Sequence, residues 1–388
     1  MAKQTQSQSQ SQSQETRILL VASSPHLNEP STSKRVMYEV VISLLPAIAA
    51  AVWLFRWPAA RLLIGCLVAA ILTEWVFNIV RKKAQTVADG SVIVTGLILA
   101  LSLPPTLPVW MGALGTAVAV AVAKMLFGGL GSNIFNPAMV GRAFLLACFG
   151  MYMTTWVMPE TEIIWSHIAT TAKTTDNSKV CVEPVLPADM SPDKETPIDA
   201  VTQQTPLAMA KQAIKDSHNA DIPQQKKQTA AAVNVKIRSM FIGDISGSAG
   251  ETSALVWLIG GVFLLLRRTI TYHIPLAVLG SAMVIATTTW LINDTVFANP
   301  LVHLCGGGLM MCAFFIATDP VTCPLSKLGR VIFGIGVGGL IMLIRLQGGY
   351  PEGVMYAVLL MNAMTPLLDR WTRPKPLGGH VPSVEQAD

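Results

Sequence analysis

Apolar residues run along this chain in long stretches, separated by short polar breaks that are rich in Gly and Pro. About 20 consecutive apolar residues cross a bilayer as a helix, and the stretches form two groups on either side of a long polar region. The first group predicts helices at 36–55, 62–80, 90–103, 108–126 and 137–153. The second group predicts helices at 253–266, 274–292, 300–318, 330–344 and 353–368. The pattern therefore predicts an all-α integral membrane protein with about ten transmembrane helices.

The two groups of helices share a spacing of Pro and Gly motifs. The segments PPTLP at 104–108 and PVTCP at 320–324 are each followed by a Gly-rich apolar stretch and a loop with paired glycines. Those loops are GGLGSNIFNP at 128–137 and QGGYPEG at 347–353. With an external loop between the groups, this pattern predicts two inverted five-helix repeats, an arrangement that places binding sites at broken helices. The alternative is a chance similarity between Gly- and Pro-rich membrane loops.

The order of apolar and polar segments divides the chain into five regions. Residues 1–17 form a Gln/Ser tail without an apolar core, which predicts a disordered segment and not a cleaved signal peptide. The remaining regions are a first transmembrane half at 18–153, an external loop region at 154–252, a second transmembrane half at 253–372 and a cytoplasmic tail at 373–388.

Composition supports the membrane class and excludes several others. Hydrophobic residues make up 52% of the chain and charged residues 13%, with a mean hydropathy of +0.50. The net charge of +5 is small and no basic stripe is formed, so nucleic acid is not an expected partner. The six cysteines form no CxxC pair, and no Ser-His-Asp, metal-ligand or P-loop pattern occurs. We therefore expect neither a catalytic triad nor a metal site on this chain.

Lysine and arginine predict the orientation, because short cytoplasmic loops collect them. Placing both termini in the cytoplasm puts nearly every basic cluster on that side and the 154–252 loop outside; Arg56, Arg61 and Arg345 do not fit. The residues used for this assignment are Lys34, Arg35, Arg81, Lys82, Lys83, Lys124, Arg142, Arg267, Arg268, Lys327, Arg330, Arg370, Arg373 and Lys375.

Acidic residues within the apolar stretches are candidates for an ion route, since a carboxylate in hydrocarbon is costly and usually faces a pathway or a partner. Glu39 and Glu74 lie inside the first two predicted helices and are the candidates. A second set lies near helix ends, where capping or pairing with Lys or Arg is expected. This set is Asp89, Glu251, Asp319, Glu352 and Asp369.

Six polar or Gly-rich segments carry a resemblance to a known family. They are SSPHLNEPSTSKRVMYEVVISLLPA (23–47), DGSVIVTGLILALSLPP (89–105), GSNIFNPAMVGRAF (131–144), GDISGSAGETSAL (243–255), FFIATDPVTCPLSKLGR (314–330) and YPEGVMYAVLLMNAMTPLLDRW (350–371). In this order, over about residues 18–372, they closely resemble the flavin-carrying D subunit of the Rnf complex, a membrane ferredoxin:NAD+ oxidoreductase. The B subunit of the Na+-pumping NADH:quinone oxidoreductase is a sister family with similar motifs.

The resemblance implies a covalent FMN on a threonine of the external loop, attached through a phosphoester bond by a flavin transferase. Thr205 in TQQTPLA stands at the expected position, with Thr202 as a second candidate. The residues themselves predict a helix that begins here, since Pro206 suits the first helical position and Thr205 suits the N-cap. A phosphate on that hydroxyl would lie at a helix N-terminus, where free N–H groups favour an anion. The alternative is that Thr205 is only a helix cap.

The resemblance also implies a second, noncovalent flavin, riboflavin, in the membrane part. Broken helices expose backbone polar groups that an isoalloxazine edge can pair with. The candidate residues come from the NPA and TDP segments, which on the alternative interpretation only cap half-helices and turn the chain. These candidates are Asn133, Asn136, Pro137, Thr318 and Asp319.

As a whole, the resemblance implies an electron-carrying component of a bacterial cytoplasmic (inner) membrane complex that moves Na+ or H+. Its expected partners are the A, B, C, E and G subunits of the Rnf complex, with ferredoxin and NAD+ bound by other chains, because this chain has neither a Rossmann fingerprint nor cluster ligands. Two alternatives stay open: the quinone-reducing sister complex, and a channel or secondary transporter without a redox role.

Overall fold

The computed structural model describes residues 32–156, 205–218, 237–243, 245–293, 296–350 and 352–373. The predicted Gln/Ser tail, the second candidate Thr202, most of the external loop and the C-terminal tail from 374 onward lie outside the described residues. Within the described ranges the secondary structure is helical, without β-strands.

The helices of the first half lie where the apolar stretches predict them. Helix α1 is Ser33–Val80, α2 is Ser91–Leu101, α3 is Val109–Val118, α4 is Pro137–Cys148 and the short α5 is Gly150–Met153. The π-helical segment Ala119–Met125 continues α3.

Helix α1 combines the first two predicted helices in one kinked element. The backbone of Arg56 leaves the helical region, with φ 55° and ψ −137°, two residues before Pro58. Proline cannot donate a helical hydrogen bond, and its ring crowds the preceding turn. The predicted break between residues 55 and 62 is therefore a kink within a continuous helical path.

The second half begins after two short helices of the loop region. These are α6, Pro206–His218, and α7, Ile237–Ile242. The helices that follow are α8, Ala254–Leu266; α9, His273–Ile292; α10, Pro300–Cys305; α11, Leu309–Met311; α12, Lys327–Gln347; and α13, Val354–Trp371. A second π-helical segment, Cys312–Ile316, continues α11.

Three helices in the described part are long and apolar enough to cross a membrane, namely α1, α9 and α12. Four shorter apolar helical stretches accompany them: Ser91–Leu101, Val109–Met125, Pro137–Cys148 and Ala254–Leu266. One buried apolar cluster runs through both halves, from Leu44 and Leu99 to Phe333 and Val358. The short helices are thus packed against protein, which can satisfy the backbone groups at their ends.

The loop region docks on the membrane part through α6. Ala210 of α6 packs with Met240 of α7 and Val302 of α10. Lys211 is buried and donates hydrogen bonds to the carbonyl oxygens of Ile344, at the end of α12, and Tyr350. A lysine near a helix C-terminus satisfies carbonyl groups that have no partner within the helix.

Two basic residues used to predict the orientation are buried. Lys124 is 2% exposed and Arg142 is 7% exposed, and each forms an ion pair with glutamate. Because both charges are neutralised inside the protein, these two residues do not support the predicted orientation. Apart from the half-buried Arg330, the other basic residues named for the orientation and described by the structure, such as Lys82 and Arg370, are exposed.

Candidate functional site

The five residues predicted to bind the membrane flavin line one pocket. Asn133, Asn136, Pro137, Thr318 and Asp319 all border it, although the two groups are about 180 positions apart in the chain. We call this the polar pocket. Other parts of its wall come from the start of α1, from α2, and from both π-helical segments: Met37, Val40, Ser91, Thr95, Ile98, Lys124, Phe314 and Phe315.

Asn136 shapes the pocket by ending one helix and holding another segment. Its Oδ1 accepts hydrogen bonds from the N–H groups of Ala138 and Met139, at 3.1 and 3.4 Å, and so caps α4. Pro137 occupies the first helical position, where a missing N–H costs nothing. The Asn136 Nδ2 atom lies 3.4 Å from the carbonyl oxygen of Ile316. The asparagine therefore ties the start of α4 to the second π-helical segment.

Thr318 and Asp319 form another part of the pocket wall. The Thr318 hydroxyl donates to the carbonyl oxygen of Phe314 at 2.6 Å. The Asp319 carboxylate accepts from the N–H of Val321 at 3.3 Å and from the hydroxyl of Thr322 at 3.2 Å. The capping and turning roles considered for the NPA and TDP segments are thus confirmed for Asn136 and Asp319, and the same residues also border a pocket.

Lys124 places a positive charge at the polar pocket. In the sequence analysis this residue served only to predict the orientation in the membrane. Its Nζ donates to Glu74 Oε2 at 2.8 Å and to Ser91 Oγ at 2.7 Å. Glu74 is fully buried and also accepts a hydrogen bond from Thr86. The signal in the sequence was a single lysine within the apolar run AVAVAKMLF, since an intramembrane charge is usually paired and functional.

Glu39, the second predicted ion-route residue, lies close to the same pocket. Its carboxylate pairs with Arg267 at 2.7 Å and with Arg35 at 3.2 Å, and it accepts a hydrogen bond from Thr269. Thr269 is itself part of the pocket wall. Both predicted acids are therefore one side chain away from the polar pocket, Glu39 through Thr269 and Glu74 through Lys124.

Thr205 begins α6 as its N-cap, as predicted. Its hydroxyl accepts a hydrogen bond from the N–H of Ala208 at 3.2 Å, and its carbonyl oxygen accepts one from Met209 at 3.0 Å. One face of this helix packs inward, since Leu207 and Ala210 are buried. The threonine is partly buried, which leaves its side chain accessible from one side.

Thr205 faces a cavity whose wall holds two acidic residues. We call this the Thr205 cavity; its lining includes Trp156, Glu251, Gly306, Gly307 and Glu352. Gly307 has φ +66°, and a Cβ there would lie 2.8 Å from Leu207 Cδ1 and 3.0 Å from Glu352 Oε1. Glycine at this position therefore lets α6 and Glu352 approach the same stretch of backbone.

A buried ion cluster lies behind the Thr205 cavity. Arg142 of α4 is 3.0 Å from Glu251 Oε1 and 2.7 Å from Glu352 Oε2. Arg345 donates to the carbonyl oxygen of Gly306 at 2.9 Å, beside the backbone N–H of Gly308 that donates to Glu352. The expectation that Glu251 and Glu352 pair with basic residues is confirmed, and Arg142 is the partner of both.

The two carboxylates of this cluster share a hydrogen bond, which requires a proton between them. Burial and the neighbouring Glu352 carboxylate raise the pKa of Glu251 to about 8. Burial acts on Glu352 as well, but Arg142, the contact with Glu251 and the Gly308 N–H outweigh it and lower the pKa of Glu352. Glu251 is therefore the carboxyl group that holds the proton near neutral pH.

The sequence matches a family model and several curated proteins over most of its length. Residues 20–378 match the model of the NQR2, RnfD, RnfE family. A Clostridium ljungdahlii protein, named as the D subunit of a proton-translocating ferredoxin:NAD(+) oxidoreductase complex, is 37% identical over 366 residues, which are 93% of this chain and 96% of that protein. Proteins from Salmonella newport and Escherichia coli O17:K52:H18, both named as the D subunit of an ion-translocating oxidoreductase complex, are 38% and 36% identical, each over 93% of this chain and 99% of the relative.

Proposed function

The chain belongs to the NQR2, RnfD, RnfE family, and from this premise we propose that it is the flavin-carrying membrane subunit of an ion-translocating ferredoxin:NAD+ oxidoreductase complex. The relatives that match over nearly their whole length are named as the D subunits of such ion-translocating complexes. The observation that carries the flavin assignment is the position of Thr205, whose hydroxyl lies at a helix N-terminus and faces a cavity.

The residues around Thr205 suit a phosphoester-linked FMN. A phosphate on the Thr205 hydroxyl meets the first N–H groups of α6, where the helix dipole favours an anion. Gly306 and Gly307 contribute backbone and no side chains to the lining of this cavity. The acidic wall would repel a phosphate, but Arg142 neutralises part of its charge. A second cavity beside Glu352, bordered by Trp156, Tyr350 and Tyr356, offers aromatic side chains.

The polar pocket suits a neutral flavin without a phosphate, such as riboflavin. Phe314 and Phe315 supply aromatic surface, while Ser91, Asn133 and Thr95 supply hydrogen-bonding groups. Among the described residues of its wall, Lys124 is the basic residue, and Glu74 already pairs with it. In the part of the pocket wall that the structure describes, a phosphate group would meet no arginine.

Both sites are connected by α4. Asn136 at the start of α4 borders the polar pocket, and Arg142 belongs to the cluster behind the Thr205 cavity. Six helical residues correspond to about 9 Å along the axis. When bound, a flavin supplies one-electron and two-electron chemistry, which connects one-electron Fe–S donors with two-electron NAD+ reduction. The contribution of this chain is to hold the two flavins at a fixed separation.

We extend the proposal to the ion route and the topology. Glu39 and Glu74 each contact a residue of the polar pocket wall, which places the candidate route for Na+ or H+ beside a redox site. The positions of α1 to α4 and α8 to α13 are compatible with ten membrane segments in two inverted repeats. Both termini would lie in the cytoplasm, as exposed basic residues such as Arg268 and Arg370 suggest, with α6 on the external side of the bacterial inner membrane.

The remaining chemistry is assigned to partner chains. Ferredoxin and NAD+ bind to other chains, among the A, B, C, E and G subunits of the Rnf complex, and a flavin transferase attaches FMN to this chain. Lipid surrounds the exposed apolar side chains, among them Trp53, Trp57 and Leu276.

Mass spectrometry of the natively expressed protein tests the covalent site. A peptide containing Thr205 is expected to carry the mass of FMN less one water. Thr205→Asn keeps a residue that caps helices well but has no hydroxyl to esterify, so it should fold and lose the in-gel flavin fluorescence. Thr205→Ser and Thr202→Ala should both retain it. An adduct on Thr202, or fluorescence that persists in Thr205→Asn, would contradict the assignment.

Two other functions make different predictions for the purified complex. The quinone-reducing sister complex would reduce a quinone and not NAD+ with its electron donor, so both acceptors are assayed side by side. A transporter without a redox role would yield a colourless protein with no flavin in any fraction. Ferredoxin-dependent NAD+ reduction by a yellow complex supports the proposal against both.

A further inference from the structure

We propose that Lys124 is the charged group that holds the noncovalent flavin in the polar pocket and sets its reduction potential, and that Glu74 moderates this effect. The inference rests on the proposed function, because it assumes that the polar pocket holds a flavin. It concerns residues that the family resemblance did not single out, and it follows from the position and partners of Lys124.

One N–H donor of the Lys124 ammonium group is available to a ligand in the polar pocket. An ammonium group has three N–H donors, and the contacts with Glu74 Oε2 and Ser91 Oγ account for two of them. The Lys124 side chain is 3% exposed, and both Lys124 and Ser91 belong to the pocket wall. The charge is therefore fixed at the edge of the pocket by two short contacts and shielded from bulk water.

The backbone geometry of the molecule also points to this pocket. In the described ranges, π-helical segments occur at Ala119–Met125 and at Cys312–Ile316. The first carries Lys124, and the second carries Phe314 and Phe315, and all three side chains line the polar pocket. Such segments are rare and occur frequently at functional sites. Both irregular segments thus supply side chains to the same pocket, a cation from one half of the chain and aromatic rings from the other.

A buried cation matters for a flavin because reduction changes the charge of the ring. Taking one electron without a proton, or two electrons with one proton, leaves one additional negative charge on an isoalloxazine that was neutral when oxidised. The electrons come from the preceding carrier of the complex and pass to the next. In a site of low dielectric constant, the Lys124 ammonium stabilises that negative charge, whereas the Glu74 and Asp319 carboxylates oppose it.

Opposite substitutions in the ion pair separate this role from a structural one. In the complete complex, Lys124→Met removes the cation and Glu74→Gln removes the anion that neutralises it. Spectroelectrochemical titration gives the reduction potential of the noncovalent flavin, and acid precipitation followed by chromatography gives its amount relative to covalent FMN. Lys327→Met, which removes an exposed lysine at the start of α12, is the matched control.

We expect the potential to fall in Lys124→Met and to rise in Glu74→Gln. For Lys124→Met, the ratio of reduced to oxidised flavin at a fixed potential should fall about tenfold, which is about 59 mV for a one-electron couple. Loss of the noncovalent flavin from Lys124→Met, with covalent FMN retained, supports the positioning role in the same way. Lys327→Met should match the unmodified complex in both measurements.

The inference fails if Glu74→Gln leaves the potential unchanged or lowers it, and this holds even if Lys124→Met does not assemble. It also fails if both variants shift the potential in the same direction, which is what a general loosening of the fold would cause. A wild-type complex without noncovalent flavin contradicts the proposed second flavin site itself. That result is distinct, because it is obtained before any substitution is made.

Discussion

At the scale of single residues, the polar side chains at helix ends serve the fold and the candidate sites together. Asn136 caps α4, holds the second π-helical segment through Ile316 and borders the polar pocket. Thr205 caps α6 and faces its own cavity. A substitution at either position therefore changes folding and binding at once, and a useful variant must preserve one of the two.

Substitution of Asn136 separates the helix cap from the pocket. Asn136→Ala should destabilise the protein by about 1 kcal/mol, because two N–H groups at the start of α4 lose their acceptor. Asn136→Ser should retain most of that stability, since serine is also a good N-cap. Both variants lose the amide at the pocket and should retain less noncovalent flavin. Thermal unfolding in detergent and flavin analysis measure the two effects; equal stability of the two variants would contradict the capping role.

The protonated Glu251 makes stability depend on pH. The pKa of Glu251 is raised from 4.5 to about 8 in the folded protein. Between pH 4.5 and about pH 8 the folded protein therefore keeps a proton on Glu251, whereas the unfolded chain has released it. This contribution to stability is complete below about pH 4.5 and is lost as the pH rises through about 8. Glu251→Gln replaces the protonated carboxyl with a neutral amide of similar shape.

The expected result for Glu251→Gln is a smaller decline of the melting temperature between pH 5 and pH 8 than in the wild type. Comparing the two proteins at each pH removes the contributions of all other titrating groups. If the melting temperatures of the two proteins decline equally with pH across this range, Glu251 holds no proton in the folded state.

At the scale of elements, glycines decide how closely the long helices of the second half pack. Gly334 and Gly338 lie on the face of α12 that meets α9. A Cβ at Gly334 would lie 3.1 Å from the carbonyl oxygen of Ile274, and one at Gly338 would lie 2.5 Å from that of Val278. Small residues four apart let two membrane helices approach to backbone contact. Packing of α9 on α12 therefore depends on the absence of side chains at these two positions.

Two glycine substitutions on this pair of helices should have opposite effects. Gly338→Ala should cost roughly 1–3 kcal/mol, because its Cβ meets a backbone carbonyl that cannot rotate away. Gly280→Ala is the control within α9, where no atom lies within 4 Å of the added Cβ and alanine favours a helix. Thermal unfolding in detergent compares them. Equal melting temperatures for the two variants would show that the α9–α12 contact is looser than described.

The positions of these elements were accessible from the sequence, whereas the pairs of charges were not. Apolar stretches and helix caps are local signals, so the helices, the cap at Thr205 and the break near Pro58 could be predicted. Lys124 and Glu74 are 50 positions apart, and Arg142 and Glu352 are 210 apart. Nothing in a local pattern specifies which distant residues meet. Lys124 and Arg142 were for this reason counted toward the orientation, whereas the structure pairs them with buried glutamates.

At the scale of the whole molecule, α4 connects the parts on which the proposed function depends. Its first turn contacts the second π-helical segment through Asn136, and its middle contacts the segments before α8 and α13 through Arg142. The two halves of the chain are therefore joined at the polar pocket and again behind the Thr205 cavity. A fixed separation between the two candidate flavin sites follows from the rigidity of this one helix.

The Arg142 cluster should accordingly be the most sensitive connection between the halves. Arg142→Met leaves Glu251 and Glu352 buried beside each other without their cation, and breaking a buried ion pair in this way costs about 3–5 kcal/mol. The triple variant Arg142→Met, Glu251→Gln, Glu352→Gln also removes the two carboxyl groups and should recover part of that loss, because the ionised group that remains, Arg345, keeps the carbonyl oxygens of His303 and Gly306 as acceptors. Fluorescence-detected size-exclusion chromatography after heating ranks the proteins. If Arg142→Met has the same melting temperature as the wild type, the charges of this cluster do not hold the two halves together. The same conclusion follows if the triple variant is no more stable than Arg142→Met.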